Sequence, residues 1–299
     1  MLKVVLAGRY GFYEDFLFEH CTDFRILCPI TPIWNMSEFQ CYQFKSFDRP
    51  LTEDEHKEVG TWSSRGQVTS TSATFIYHFG DFRKSPEWAV EQYFDAMIYF
   101  ANWGTRRLLF RFPTSMIDAK AVKKFCIEND WSSDFIRIQK KGAVYLLDLH
   151  FSNEEGGVWM EEDDFDIDVL GKIRDDLMEG DYRALYVLWA KFAAADPDED
   201  EAEDDDKPDK VLLPPPVPPN LKKLNATLKA FIEFFEIDAS IVSAAQANSV
   251  ERTKEEIDYK KLLQLLPDKE RIEWLERVIN GEPKLGVLLK KRLEKLGKS

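Results

Sequence analysis

From residue 38 onward the apolar positions follow two rhythms, and each predicts a different element. Phe39, Cys41, Tyr42 and Phe44 lie in a strand-like run, and the β-branched and aromatic stretch QVTSTSATFIYHFGDF reads as a second strand. RRLLFRFP, stopped by Pro113, predicts a third. FIRIQKKGAVYLLDLHF predicts a hairpin turning at Lys140, Lys141 and Gly142. Helical spacing separates these runs. RPLTEDE opens one helix, with Thr52 and Glu55 in capping-box spacing. SPEWAVEQYFDAMIYFA predicts a longer one running to a stop at Gly104, with Ser85 as N-cap, Pro86 at the first helical position, and Val90, Phe94, Met97 and Ala101 on its buried face. AKAVKKFCIEN reads as a short helix, and residues 165–178 and 182–195 as a helical pair, the second buried through Leu185, Leu188, Trp189 and Phe192. Strands alternating with helices over residues 36–195 predict an α+β core domain, a mixed sheet with helices packed on it.

Charge then marks a boundary. Residues 196–210, DPDEDEAEDDDKPDK, crowd like charges with almost no apolar side chain, and VLLPPPVPPN follows as a stiff polyproline spacer. Together they predict an acidic and proline-rich linker over 196–219. A helical C-terminal module over 220–299 is expected beyond it. Asn220 is read as the cap of a helix burying Leu221, Leu224, Leu228, Phe231, Ile232 and Phe235, and Asp238 as the cap of a second. Helices near 255–265, 268–280 and 284–296 complete the tail, with Asp268 as an N-cap and Gly281 as a stop. The last is basic and amphipathic, its leucines expected on the other tail helices and its lysines outward. At the other end, Gly8 and Gly11 after a strand-like run are too little for a nucleotide loop. Met36 opens a plausible first strand, so residues 1–35 are expected to be a non-native extension.

Composition narrows the class. Apolar and charged fractions of 44% and 31% fit a soluble globular chain, and a formal net charge of −14 disfavours a phosphate backbone as partner. No apolar run is long enough for a membrane span. Cys21, Cys28, Cys41 and Cys126 form no CxxC pair, so reduced, mostly buried thiols in a cytoplasmic protein are expected rather than a metal site built with His20.

Candidate chemistry rests on strand alternation. In AVYLLDLHF, Tyr145, Leu147, Leu149 and Phe151 share one face, and Asp148 and His150 share the other. Were that strand a neighbour of YHFGD, then His78, Asp81, Asp148 and His150 would converge as a divalent-metal site activating water, with His78, Asp148 and His150 as the catalytic candidates. A satisfied polar face explains the same residues. Arg107 and Arg111 share a face with Leu109, opposite Arg106, Leu108, Phe110 and Phe112. Their guanidinium groups suit an anion, but ion pairs with Glu91, Asp95 or Asp148 would serve them equally. Trp103 beside them reads as a corner plug or, alternatively, a ligand platform. Glu87, Glu91 and Asp95 line up at helical spacing as a solvated acidic row.

The series S-S-R, T-x-T-S, Y-H-x-G-D-F, Y-F-D-A and A-N-W-G-T between Ser63 and Pro113 resembles an uncharacterised bacterial protein family, with the match extending over most of residues 36–295. That family carries no assigned activity, cofactor or catalytic residue, and its members begin near the equivalent of Met36. Two functions are therefore expected. One is a non-catalytic interaction or scaffold protein meeting a protein partner through the linker or the C-terminal helices. The other is a metal-dependent hydrolase or phosphodiesterase built on His78, Asp81, Asp148 and His150, with no cofactor named.

Overall fold

The computed structural model describes residues 38–128, 133–153, 160–194, 214–253 and 257–297. The chain divides into two units, Met1–Asn35 and Met36–Ser299, and every described residue belongs to the second. The extension expected at residues 1–35 and the acidic stretch at 196–210 lie outside the described residues.

Among these residues eight strands form one sheet: β1 Gln40–Lys45, β2 Gln67–Val68, β3 Ser72–Tyr77, β4 Ala96–Ala101, β5 Thr105–Pro113, β6 Ile127–Glu128, β7 Phe135–Lys141 and β8 Val144–Ser152. Their spatial order is β2-β3-β1-β4-β5-β8-β7-β6. The α+β class is as expected, but the sheet is antiparallel at every pairing rather than mixed. The helix between β3 and β4 does return the chain in the same direction. However, β1 sits between those two strands, so the parallel pair never touches.

Helices cover both faces. Glu53–Gly60 (α1) and Pro86–Gln92 (α2) lie over the face carrying Tyr42, Phe44, Phe75, Met97 and Leu109. α1 has the capping box at Thr52 and Glu55, and Ser85 caps α2 by accepting from the Trp88 amide. The other face, carrying Phe100, Leu108, Phe110, Phe112 and Leu149, is buried under Ala119–Val122 (α3), Ile167–Leu170 (α4), Lys172–Met178 (α5), Arg183–Ala194 (α6), Ala226–Phe234 (α7) and Ala239–Ala247 (α8). Tyr259–Gln264 (α9), Asp268–Ile279 (α10) and Leu285–Gly297 (α11) follow.

Four local expectations are corrected. The helix read through Ala101 ends at Gln92, and AMIYFA is the central strand β4. A strand buried on both faces loses its alternation and reads as a continuous apolar run. The acidic row Glu87, Glu91, Asp95 is broken with it, since Asp95 follows the helix and is buried. Asn220 does not cap a helix: it has φ 65, and Asn225 caps α7 by accepting from the Leu228 amide. Asp268 is the first residue of α10 rather than its cap.

The first two tail helices share the core of the sheet. Leu228, Phe231, Phe234 and Phe235 are buried in one cluster with Phe100 and Phe110, and Phe234 meets Phe165 edge-on with centroids 4.9 Å apart. Two polar contacts pin them. Arg106, buried beneath the β4–β5 turn, donates to Glu236 Oε1 at 3.3 Å and to the Ala101 carbonyl at 3.0 Å. Lys191 Nζ caps the end of α7 through the Phe235 and Glu236 carbonyls, both at 2.9 Å.

Candidate functional site

The register places one residue of each central strand on a common row. Phe75, Tyr42, Tyr99, Arg107, His150 and Phe135 are successive cross-strand partners, so their side chains emerge on one face. Arg107 is the hub of this row. It donates to Asp148 through Nε at 2.9 Å and Nη2 at 2.7 Å, and pairs with Glu87 reaching down from α2. Burial lowers the guanidinium pKa, but the bonds to Asp148 and Glu87 outweigh it and hold the group above its ordinary value. Burial likewise raises the Glu87 carboxyl, yet the Ser85 hydroxyl and Arg107 bring it down to about 2. Arg111 pairs with Asp95 at 2.6 Å. Both arginines thus pair with internal carboxylates, Arg107 through two nitrogens to Asp148 and Arg111 through Nη2 to Asp95.

The four residues expected at a metal site do not converge. β3 and β8 are separated by β1, β4 and β5. Four lateral steps of about 4.8 Å put His78 and His150 roughly 19 Å apart across the sheet. His78 is exposed, with Nδ1 3.3 Å from the Glu38 carbonyl. Asp81 accepts from the Tyr42 hydroxyl at 2.8 Å and from the Phe82 amide at 2.7 Å. His150 stacks on Phe135, centroids 5.2 Å apart, with Nδ1 2.8 Å from the Ser133 carbonyl. Burial and the neighbouring Arg107 hold its pKa below the ordinary value. Asp148 and His150 do share a face with Arg107, as alternation requires. Alternation assigns faces, however, and says nothing about which strands are neighbours. Among the described residues no group of three or more His, Cys, Asp and Glu is placed to hold a metal ion.

Trp103 occupies the β4–β5 turn and stays 40% exposed, an open corner rather than a plug; Phe79, 82% exposed, projects beyond the end of β3. Cys41 and Cys126 are free thiols, and burial pushes Cys41 up to about 12, far from nucleophilic character at neutral pH. Cys21, Cys28 and His20 lie outside the described residues. No described helix is long and apolar enough to cross a membrane.

A feature that the sequence reading left as an ordinary helix stands out on α10. Ile272, Leu275, Val278 and Ile279 are 57%, 62%, 61% and 83% exposed. Their spacing puts them on one stripe. Trp274, one turn before Val278, carries the Arg277 guanidinium 4.2 Å over its ring. The i, i+3, i+7 spacing was visible in the sequence; which way the stripe faces was not.

No protein-family profile, no curated protein and no solved structure matches this chain.

Proposed function

We propose that the chain is a non-catalytic interaction protein that docks a protein partner on the exposed apolar stripe of α10. The observation that carries this reading is the set of four aliphatic side chains, Ile272, Leu275, Val278 and Ile279, held on one helix face in solvent. An apolar helix face of this kind fits the apolar face of a partner helix or groove. Each side chain gives roughly 1 to 2 kcal/mol on burial, a sum of the same order as the freedom lost on association. A reversible complex is therefore expected, completed by contacts around the stripe. The closed ion pairs of Arg107 and Arg111 and the separation of His78 from His150 support a binding rather than a hydrolytic role. Free Cys41 and Cys126 suit a reducing, cytoplasmic setting.

The test is the double variant Leu275→Glu, Ile279→Glu. Both side chains are exposed, so its melting temperature should stay within about 2 °C of the wild type. Partners captured by the wild-type chain should be lost by the variant and kept when residues 196–210 are deleted. Identical capture by wild type and variant would remove α10 from the interface, and loss on the deletion alone would move the interface to the linker.

A further inference from the structure

α10 is 12 residues long and buries none of them. Helical spacing puts Glu270 opposite Ile272, Leu275 and Ile279, and Arg292 of α11 donates to that carboxylate at 2.6 and 3.0 Å. The helix is thus held from behind with its aliphatic stripe turned outward. A helix this short is marginal on its own, so covering the stripe stabilises helix and contact together.

The order of side chains along the stripe fits one partner in particular. Ile272, Leu275 and Ile279 recur at spacings of three and four, isoleucine at the outer places and leucine between, the arrangement that favours two parallel strands in a coiled coil. The borders of this seam carry opposite charges, Arg271 just before Ile272 on one side and Glu276 just after Leu275 on the other. In a parallel pair, a residue on the first border meets the residue five places further along in the neighbouring helix, so Arg271 of each copy faces Glu276 of the other. Both groups are free to meet. Glu276 is exposed, and among the described residues its carboxylate has no hydrogen bond or ion pair. Arg271 is engaged there only by Asp268 one turn back, a pair 47% and 89% exposed and therefore worth little. Reversing one helix would bring the acidic border of Glu273 and Glu276 against itself, which like charges disfavour.

The net charge of −14 is carried elsewhere in the sequence. Residues 196–210 hold ten Asp and Glu against two Lys, whereas residues 220–299 hold sixteen Lys and Arg against thirteen Asp and Glu. At about 0.15 M salt, charges further apart than roughly 8 Å are largely screened, so the pairs at the border decide. With its four residues 57% to 83% exposed, the stripe offers on the order of 400 Å² per copy, and a pair buries less than the roughly 1,200 Å² of stable complexes. The pair is therefore weak and reversible, with a dissociation constant on the order of 10–100 μM.

We propose that the partner on α10 is a second copy of this chain, the two helices side by side in the same direction, with Ile272, Leu275 and Ile279 as the seam and Arg271 of each copy on Glu276 of the other. The proposal rests on the interaction reading for the site and adds the identity and orientation of its occupant.

Sedimentation velocity of the full chain over about 5–300 μM tests it. The wild type should pass from monomer to dimer across that range, and Leu275→Glu, Ile279→Glu should stay monomeric. Arg271→Glu and Glu276→Arg should each weaken the dimer by about tenfold, since each sets like charges across the seam. Mixed in equal amounts, these two variants should pair about as well as the wild type, and both substitutions in one chain should restore self-pairing. Were the stripe variant to lose its fold, the charge variants decide alone. A wild type that stays monomeric to about 300 μM overturns the second copy. If that monomer still captures a protein that Leu275→Glu, Ile279→Glu loses, the stripe keeps its role and only the occupant is wrong. A dimer that survives Leu275→Glu, Ile279→Glu lies elsewhere on the molecule and overturns the proposal, and single charge variants that pair as tightly as the wild type overturn the parallel seam.

Discussion

Asp176 lies near the end of α5, where the helix presents carbonyl groups and where Asp175, Glu179 and Asp181 already collect negative charge. Burial, with Asp181 adding to it, raises its carboxyl to about 6. The folded chain therefore binds a proton between pH 4 and 6 that the unfolded chain, with an ordinary carboxylate near pH 4, has already lost. A raised folded pKa means stability that is present below the unfolded value and is lost as pH rises through about 6. Asp176→Asn removes that loss. In urea unfolding it should be more stable than the wild type by about 1 kcal/mol at pH 7.5, a figure discounted for the group's partial exposure. The advantage should fade toward pH 4; one that persists unchanged there would mean packing, not charge, explains it.

At the scale of elements the β4–β5 turn is the most constrained connection. Gly104 has φ 99, and a Cβ there would overlap the Asn153 carbonyl oxygen. Its own amide and carbonyl are both used, toward Ala101 at 3.1 Å and from Asn153 at 3.3 Å. Gly104→Ala meets both a left-handed backbone and a backbone atom that cannot rotate away, so it should cost about 2 kcal/mol or more in denaturant unfolding. A stable Gly104→Ala protein would show that the turn can open. The sequence announced this turn through Gly104, yet it hid the strand before it. β5 and β8 carry arginine, aspartate and histidine at alternate positions, and both were legible as strands. β4 is apolar on both faces, because one side meets the α1–α2 layer and the other the larger helical layer, and that burial erased the period that would have identified it. The candidate site failed for a related reason. Periodicity put Asp148 and His150 on one face correctly, but strand order depends on long-range pairing, and the placement of β1 and β4 between the two histidines left no mark in either segment.

For the whole molecule, one buried ionic group crosses from layer to layer. Arg174, from α5 beneath one face of the sheet, donates to Asp48 at 2.9 and 2.6 Å and to the Arg111 carbonyl at 2.8 Å, and lies 3.7 Å from Asp95. Asp95 in turn receives the Phe47 and Asp48 amides at 2.7 and 2.8 Å and the Arg111 guanidinium from the opposite face. Burial raises the Asp95 carboxyl, but Arg174 and Arg111 outweigh it and keep it below its usual range. Arg174 is 0% and Asp95 1% exposed, so removing one partner strands a charge away from water. Arg174→Met should lower unfolding free energy by about 3–5 kcal/mol, and Arg174→Lys should recover little, because an ammonium cannot reproduce the two-pronged contact with Asp48. A Met variant as stable as the wild type would show that the layers are held by their apolar cores alone.

The ends of the sheet have a consequence for how the molecule meets others. Its outermost strands, β2 and β6, are two residues long, and the length of β7 that extends past β6 ends in exposed Lys140 and Lys141. Among the described residues, the short β6 and the charged end of β7 give an incoming chain little backbone to hydrogen-bond on that side, which discourages edge-to-edge aggregation. Recognition by strand addition, the route many sheet proteins use to seize an extended peptide, is thereby disfavoured at the β6–β7 margin. An interaction of the kind proposed above would then be read by side chains on helices, with an affinity tunable one residue at a time.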